Sequence, residues 1–259
     1  MTRNLDARPP LDRDLLAESV TVVAQAPSTN SLVTEQARAG APAGTTIVAE
    51  WQTAGRGRLD RAWAVPDRAA LTFSVLLRPE VPAERWPWLP LLAGLVVHEA
   101  LSELIDGVGL KWPNDVLVGE QQRKICGILV ERVETPQGPA AVLGIGINVH
   151  QSADELPVAT ATSIHLEGVE ADRTRLLNRL LSLVDEHLPL LADGEALWAA
   201  YTERCVTLGR EVRVELPADK QLLGLATGVD EHGRLEVTAD GVRHVVGAGD
   251  VIHVRATNL

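Results

Sequence analysis

The sequence predicts an α+β fold, in which a domain of interspersed strands and helices is followed by a small β-barrel. Apolar strand patterns and amphipathic helix patterns are interspersed over the first part of the chain. After Leu208 the character changes, and five short strand patterns follow one another between Gly, Asp and Pro turns. A chain of 259 residues is long enough for one sizeable core and a small accessory domain. We therefore expect one domain over residues 1–207 and a second over residues 208–259.

The first domain begins with a polar lead-in that contains a short helical turn around Leu11–Val20. Short β-branched or apolar runs then predict strands at Thr21–Gln25, Thr45–Trp51, Ala69–Leu77, Leu110–Trp112, Val116–Val118, Ile125–Val133 and Ala140–Val149. Apolar residues at helical spacing predict helices at Ser28–Ala39, Trp88–Ile105, Leu176–Leu191 and, more briefly, Glu195–Arg204. Ser28 and Gly40 are suitable start and stop residues for the first of these helices.

The second domain is predicted to consist of strands alone. Its strand patterns are Val212–Leu216, Leu222–Gly228, Leu235–Thr238, Val242–Val246 and Val251–Val254. Several short strands at close spacing, separated by turn residues, are typical of a small antiparallel barrel.

Composition excludes several classes of protein. The net charge is −11, and acidic residues are spread along the whole chain, whereas DNA binding usually needs a concentrated basic surface. No apolar run approaches the roughly 20 residues that cross a bilayer, and the first ten residues lack the apolar core of a secretory signal. Two cysteines, Cys126 and Cys205, are too few for a disulfide framework and form no zinc motif. We expect a cytoplasmic protein that binds neither DNA nor membranes.

The segment Gln52–Trp63, QTAGRGRLDRAW, is called here the arginine loop. Its glycines allow close approach of backbone to a ligand, and its arginines offer planar donors for a carboxylate or phosphate. The loop contains neither a P-loop nor a dinucleotide fingerprint, because no helix follows and Asp60 stands where a third glycine is required. The alternative interpretation is a solvated loop with scattered charge.

The pentapeptide Lys111–Asp115, KWPND, is the second unusual string. A lysine at a strand end can neutralise charge on a phosphoryl group, and an aspartate can hold a divalent metal on phosphates. Ordinary turn chemistry after proline and a core tryptophan would explain the same residues without any ligand.

Three further strings are weaker alone. Lys124 stands in RKICGILVE, where a lone lysine before a strand is usually solvated. Residues 144–149, GIGINV, place glycines in a buried strand, where they could simply relieve packing against a helix. Ser28, Thr29 and Asn30 begin the first predicted helix, so an N-cap is the default interpretation, although free backbone N–H groups there could also bind a ligand.

These five strings, in this order, resemble those of the biotin–protein ligases. The resemblance is close over Thr21–Val149 and looser over the C-terminal barrel. It implies a class II synthetase-like (biotin–lipoate ligase) catalytic domain, made of a mixed sheet with packed helices, and an SH3-like barrel. It also implies formation of biotinyl-5′-AMP from biotin and ATP with Mg²⁺, then transfer of biotin to a lysine of a carboxylase's biotin carrier domain.

The resemblance implies the following site residues. The biotin-binding residues would be Ser28, Thr29, Asn30, Gln52, Gly55, Arg56, Gly57, Arg58 and Lys124. The ATP- or adenylate-binding residues would be Arg58, Trp63, Lys111, Asn114, Asp115 and Asn148. Arg58, Lys111 and Lys124 would be catalytic and converge on the α-phosphorus, and Asp115 would hold Mg²⁺.

The sequence departs from the family pattern at two places. The loop reads GRGRLDR, with Leu59 and Asp60, where the family commonly has GRGRxGR, which brings an acid beside an anion site. Cys126 replaces a small residue in RKICGIL. Only 27 residues precede Ser28, too few for the winged helix of bifunctional members, so we expect no repressor activity. We expect a monomer or weak homodimer.

Three competing functions remain at this point. A lipoate or octanoate transferase shares the catalytic fold, although KWPND and the arginine loop favour biotin. A non-enzymatic module could bind biotin or its adenylate, although Lys111, Asp115 and Lys124 together favour chemistry. A transcriptional regulator is disfavoured by the acidic composition and by the short N-terminal segment.

Overall fold

The computed structural model describes residues 8–59, 61–216, 220–247 and 249–254. Two sheets carry the described strands, one of seven strands and one of five. Asp60, one of the two departures in the arginine loop, lies outside the described residues.

The seven-stranded sheet has the order β1-β2-β3-β7-β6-β5-β4. Its strands are β1 (Val20–Ala26), β2 (Thr46–Gln52), β3 (Ala70–Leu77), β4 (Val108–Lys111), β5 (Asp115–Val118), β6 (Arg123–Thr135) and β7 (Gly138–Asn148). Strands β1 and β2 are parallel, and α1 provides the crossover connection that parallel strands need. Every other neighbouring pair in this sheet is antiparallel. The sheet is therefore mixed, as the family resemblance implied. The N-terminal turn is a 3₁₀-helix at Arg13–Leu15.

Four helices pack against this sheet: α1 (Thr29–Arg38), α2 (Leu89–Ser102), α3 (Arg173–His187) and α4 (Gly194–Arg204). Helix α2 is apolar almost all round and is central to the main core, together with Phe73, Trp88 and Trp112. Helix α1 covers a smaller cluster with Val33 and Ala37 at its centre. None of the helices in the described ranges is long and apolar enough to span a membrane.

The C-terminal strands form an antiparallel sheet in the order β11-β10-β9-β8-β12. They are β8 (Glu211–Leu216), β9 (Lys220–Val229), β10 (Leu235–Ala239), β11 (Val242–Val246) and β12 (Asp250–His253). All five predicted strands are present. No pairing between the edge strands β11 and β12 occurs among the residues described, so the observed form is an open antiparallel sheet and not a closed barrel.

The C-terminal sheet is docked on the first part of the chain through buried tryptophans. Trp88 Nε1 donates to the carbonyl of Glu231 at 2.9 Å, and Trp112 Nε1 donates to the carbonyl of Gly233 at 2.9 Å. One hydrophobic core runs through both sheets. This docking brings the start of β12 to the same side of the large sheet as the arginine loop. The domain boundary at residue 207 stays a prediction.

Candidate active site

A cavity lies between the arginine loop and the middle strands of the large sheet. Its lining comes from the start of α1, the arginine loop, β3, β5, β6, β7 and the start of β12. The polar and charged lining residues are Ser28, Thr29, Asn30, Gln52, Arg56, Arg58, Arg61, Thr72, Asn114, Asp115, Lys124 and Asp250. Residues up to 222 positions apart in the sequence, from Ser28 to Asp250, thus meet in one place.

One end of the cavity, called here the neutral end, is lined by Ser28, Thr29, Asn30 and Gln52, with Ser74 behind them, and all five residues are buried. Ser28 precedes α1, but its side chain makes no capping hydrogen bond. The capping function falls to Gln52, whose Oε1 accepts from the backbone N–H of Thr29 at 2.7 Å. Ser74 Oγ lies 2.6 Å from Asn30 Oδ1 and 2.7 Å from Thr29 Oγ1. This end is a compact, uncharged hydrogen-bonding network.

Glycines in the sheet make room for the side chains that cover it. A Cβ atom on Gly144 would lie 2.1 Å from Asn30 Oδ1, and one on Gly146 would lie 2.6 Å from the Trp63 ring. A Cβ atom on Gly127 would likewise lie 3.1 Å from the Trp63 ring. The glycine-rich strand therefore serves the cavity itself, because Asn30 and Trp63 occupy the space that larger residues would fill.

The arginine loop is closed on itself by backbone bonds. Trp63 N donates to Gly55 O at 2.8 Å, and Gly57 N donates to Arg61 O at 2.6 Å. Arg56 and Ala62 form an isolated antiparallel bridge. The loop is thus a short hairpin-like turn whose two flanks are held together, and Arg56, Arg58 and Arg61 line the cavity.

The other end of the cavity, called the charged end, consists of Arg58, Arg61, Lys124, Asp115 and Asp250, with Lys111 behind Asp115. Asp115 bridges the two lysines: Lys124 Nζ lies 2.6 Å from Oδ1 and Lys111 Nζ lies 3.5 Å from Oδ2. Lys124 Nζ also lies 6.0 Å from the ring centroid of Trp63. Because β5 pairs with both β4 and β6, Asp115 is placed between the lysines by the sheet.

Arg58 is held between the large sheet and the C-terminal sheet. Its Nη1 donates to Asn114 Oδ1 at 3.1 Å, and its Nη2 donates to the carbonyl of Gly249 at 3.3 Å. Burial lowers the pKa of Arg58 below the ordinary arginine value, against the opposing charges of Asp250 and Asp115. A partly desolvated guanidinium of this kind interacts strongly with an incoming anion.

Arg61 and Asp250 form an ion pair of 2.6 Å between the arginine loop and β12. Burial raises the pKa of Asp250, but the hydrogen bond from Arg61 and the charges of Arg61, Lys111 and Lys124 outweigh it and leave the pKa below its ordinary value. The hydrogen bond that Arg61 donates to Asp250 correspondingly raises the pKa of Arg61. The C-terminal sheet therefore supplies a carboxylate to the charged end.

Most of the site residues predicted from the sequence meet in this cavity. Those that line it are Ser28, Thr29, Asn30, Gln52, Arg56, Gly57, Arg58, Trp63, Asn114, Asp115 and Lys124. Lys111 does not line the cavity and reaches it only through Asp115. Gly55 closes the loop beneath Trp63. Asn148 lies outside the lining, and its amide donates to Thr162 O at 2.8 Å and accepts from Gln151 at 2.8 Å.

The geometry does not favour the magnesium ligand predicted at Asp115. Both of its carboxylate oxygens face lysine ammonium groups, which compete with a cation for the same lone pairs. Within the described ranges, no three side chains of His, Cys, Asp or Glu are grouped as a metal site. The residues that the structure describes do not form a metal site held by the protein alone.

Sequence reasoning missed three charged residues near the cavity: Arg61, Glu131 and Asp250. Arg61 lies in the basic stretch of the arginine loop, so the sequence shows its positive charge. The sequence does not show which residue it pairs with. Asp250 is 189 residues from Arg61, and no local pattern connects the two. Glu131 follows Gly127 by four residues on β6, and its bonds to Asn30 and Arg56 depend on tertiary structure.

Comparison with known families assigns both parts of the chain. Residues 22–148 match the Biotin/lipoate A/B protein ligase family, and residues 207–254 match the Biotin protein ligase C terminal domain. Among curated proteins, a biotin–[acetyl-CoA-carboxylase] ligase of Mycobacterium tuberculosis is 39% identical over 272 residues, covering 98% of this chain and 100% of the relative. The bifunctional ligase/repressor BirA of Escherichia coli is 34% identical over 205 residues, covering 77% of this chain and 63% of the relative.

Solved structures of similar proteins agree in fold. The biotin protein ligase of Aquifex aeolicus, in complex with biotin and ATP, has a TM-score of 0.76 at 29% identity and covers 93% of this chain and 100% of its own. A Leishmania major biotin protein ligase with biotinyl-5-AMP has a TM-score of 0.59 at 26% identity, with 90% of this chain and 100% of the other covered. The predicted fold class is confirmed by these matches.

Proposed function

The chain belongs to the biotin protein ligase family, and we propose that the cavity beneath the arginine loop is where it activates and transfers biotin. The enzyme forms biotinyl-5′-adenylate from biotin and ATP, then transfers biotin to a lysine of a biotin carboxyl carrier domain. One observation carries the assignment of the site: Arg58 and Lys124 line the same cavity as the buried neutral network of Thr29, Asn30 and Gln52.

The neutral end suits the ureido head group of biotin. That group is uncharged and carries two N–H donors and one carbonyl acceptor, so it needs hydrogen-bond partners rather than counter-charges. Ser28, Thr29 and Gln52 offer hydroxyl and amide groups in a buried setting, where an unpaired polar ligand atom would be costly. A head group that lacks N–H donors, such as the dithiolane of lipoate, would leave these groups unpaired.

The charged end suits the first reaction. The biotin carboxylate attacks the α-phosphorus of ATP, a bond forms between carboxylate oxygen and phosphorus, and pyrophosphate leaves. Negative charge grows around the phosphorus, and Lys124 and Arg58 are positioned to stabilise it. Lys124 is paired with Asp115 before substrate binds, so we propose that a substrate oxygen replaces that carboxylate during the reaction.

Lys111 is assigned an indirect role. Its ammonium is directed at Asp115 and not at the cavity, so it holds Asp115 in place and adds positive potential behind Lys124. Magnesium accompanies ATP as part of the substrate, and its ligands are chiefly the phosphates, as is usual for Mg²⁺ at nucleotide sites. No step is assigned to Asp115 as a metal ligand.

The second reaction needs protection from water. The lysine amine of the carrier attacks the anhydride carbonyl, an amide bond forms, and AMP leaves, whereas water would hydrolyse the same bond. The arginine loop covers the cavity, with Trp63 packed on the sheet glycines. Its closure would exclude water from the adenylate until the carrier arrives.

The partners and the location of the protein are also proposals, and they are supported by the names of relatives and by composition. The names of the relatives support a carboxylase carrier as the acceptor. Two buried, unlinked cysteines among the described residues and the lack of a spanning helix there support a cytoplasmic location, with no membrane partner. The net charge of −11 supports the absence of DNA binding, and specific operator binding at physiological salt would contradict it. A monomer or weak homodimer stays the proposed state.

The deciding experiment combines the full chain with biotin, Mg·ATP and a carrier domain. We expect a mass increase of one biotin on one lysine, and none with a carrier whose acceptor lysine is replaced by arginine. Lipoate in place of biotin is expected to give no product. Biotin-dependent exchange of pyrophosphate into ATP, without the carrier, would isolate the first step. Absence of both exchange and transfer would contradict the assignment.

A further inference from the structure

Glu131 on β6 connects the arginine loop to the neutral end of the cavity. Its Oε2 accepts a hydrogen bond from Asn30 Nδ2 at 2.7 Å and another from Arg56 Nη2 at 2.7 Å. One carboxylate oxygen thus binds a residue of the buried network and a residue of the loop at the same time. Glu131 ends the string RKICGILVE, but that string does not indicate its partners, which come from α1 and from the arginine loop.

Glu131 determines which way the Asn30 amide points. A carboxylate only accepts hydrogen bonds, so the Asn30 atom beside it must be the NH₂ group. Asn30 Nδ2 also lies 3.4 Å from the carbonyl of Leu129, another acceptor. The amide oxygen of Asn30 is therefore turned to the opposite side, where Ser74 Oγ lies 2.6 Å away.

The orientation of Asn30 fixes the hydroxyl protons beyond it. Asn30 Oδ1 can only accept, so the single proton of Ser74 is donated to it. The Ser74 proton is then not available to Thr29 Oγ1, 2.7 Å away, and the Thr29 hydroxyl donates its own proton to Gln52 Oε1 at 3.2 Å. With its proton used in this way, Thr29 Oγ1 has lone pairs that are not engaged by Ser74. The chain of bonds makes the neutral end an acceptor of hydrogen bonds.

We propose that Glu131 is a positioning residue that orders this hydrogen-bond chain for a ligand with N–H donors and anchors Arg56, so that head-group binding and loop closure depend on each other. The inference rests on the proposed function, in which the N–H donors belong to the ureido group. When the neutral end is filled, Asn30 is held more firmly and keeps Glu131 in place for Arg56. When Arg56 is held, the loop covers the head group.

A simple surface ion pair would not have this effect. The neighbouring pair Arg132–Glu134 on the same strand is much more exposed, with side chains 56% and 71% exposed, and contacts nothing in the cavity. Glu131 is 31% exposed and shares its oxygen with a buried amide. Glu134 is therefore a matched control: the same residue type, on the same strand, paired with an arginine.

The test measures biotin binding to the full chain without ATP, by calorimetry for Kd and stopped flow for the dissociation rate. Glu131→Gln replaces an obligate acceptor by an amide that also donates. We expect a Kd for biotin raised by roughly tenfold, as for loss of a charge-assisted hydrogen bond in a half-exposed setting. Arg56→Gln should raise the dissociation rate by roughly threefold, and the double variant should resemble Glu131→Gln alone, because the effects share one contact.

Controls separate positioning from stability. Glu134→Gln should bind biotin like the parent, and Glu131→Asp should recover part of the affinity. The KM for ATP and the melting temperature of Glu131→Gln should stay near the parent values, which a general structural defect would not allow. Additive effects of Glu131→Gln and Arg56→Gln, or an unchanged Kd in Glu131→Gln, would overturn the inference while biotin binding by the parent still supports the proposed function. A parent chain that does not bind biotin would instead overturn the proposed function.

Discussion

The two ends of the cavity are built on different physical principles. The neutral end consists of buried, uncharged side chains whose hydrogen bonds are satisfied within one part of the sheet and α1. The charged end consists of partly exposed cations and carboxylates that neutralise each other, and it draws on both the large sheet and the C-terminal sheet. The hydrogen bonds of the neutral end are formed before a ligand binds. The cations of the charged end must exchange their carboxylate partners for phosphate oxygens when ATP binds.

This difference separates recognition from chemistry. A prebuilt neutral pocket loses little conformational freedom on binding and can discriminate by unpaired donors and acceptors. Internally paired charges are stable in the free protein, and their attraction becomes available to the substrate only when a stronger anion displaces the carboxylates. Substitutions at the neutral end should therefore change biotin affinity, and those at the charged end should change the rate and retention of the adenylate.

The largest effect is expected at Lys124. In Lys124→Met, the cavity loses the cation closest to Asp115, and adenylate formation should fall by roughly 10²–10³. The Kd for biotin should change far less, because the neutral end is intact. Pyrophosphate exchange measures the first quantity and calorimetry the second. A comparable loss in both would show that the two ends are not separate.

Two glycines on β7 sharpen the same comparison. Alanine at Gly144 would place its Cβ 2.1 Å from Asn30 Oδ1, so Gly144→Ala should weaken biotin binding by roughly tenfold through overpacking. Alanine at Gly146 would place its Cβ 2.6 Å from Trp63, so Gly146→Ala should displace the loop and speed adenylate release by a similar factor. The check is a pair of measurements, biotin Kd and adenylate dissociation rate, on both variants. If both variants changed the same parameter, the division of the cavity would be wrong.

The sequence predicted most of the fold and most of the residues that line the cavity. It did not predict the ion pairs and hydrogen bonds that join distant elements around the cavity. Strands such as Ala70–Leu77 follow from local apolar pattern, and the residues of the arginine loop from composition. Trp88 was predicted to start α2, but in the structure it is the last residue of a 3₁₀-helix that precedes α2. Its position is determined by tertiary contacts, because its ring packs between the two sheets and donates to Glu231 O. Asp250 and Glu131 could not be found, because ion pairs between distant elements leave no periodic signal.

A smaller effect is expected at the connection between the sheets. Asp250→Asn removes the charge that holds Arg61, an ion pair whose side chains are 22% and 58% exposed. A pair this exposed contributes up to ~1 kcal/mol, so the adenylate should dissociate up to about fivefold faster. Biotin Kd should be unchanged, and the difference from the parent should shrink as salt is raised. A salt-independent difference would mean that Asp250 acts through packing and not through charge.

The smallest effect concerns His253, which lies behind the charged end. Thr207 Oγ1 accepts from Trp112 N at 3.0 Å and lies 3.1 Å from His253 Nε2, to which it can donate when the ring is neutral and carries its proton on Nδ1. Burial and then the charge of Lys111 lower the pKa of His253 to about 4.

Because an unfolded histidine titrates near pH 6.5, the unfolded chain binds more protons between pH 6.5 and 4. The contribution of His253 to stability is therefore complete above about pH 6.5 and is lost as the pH falls toward 4. After allowance for partial exposure, we expect His253→Gln to reduce the loss of unfolding free energy between pH 7 and pH 5 by about 1 kcal/mol.

Urea unfolding of the parent, His253→Gln and the control His244→Gln, an exposed position on the same sheet, measures this difference. If the parent and His253→Gln lost equal stability on acidification, burial and the charge of Lys111 would not be lowering the pKa of His253.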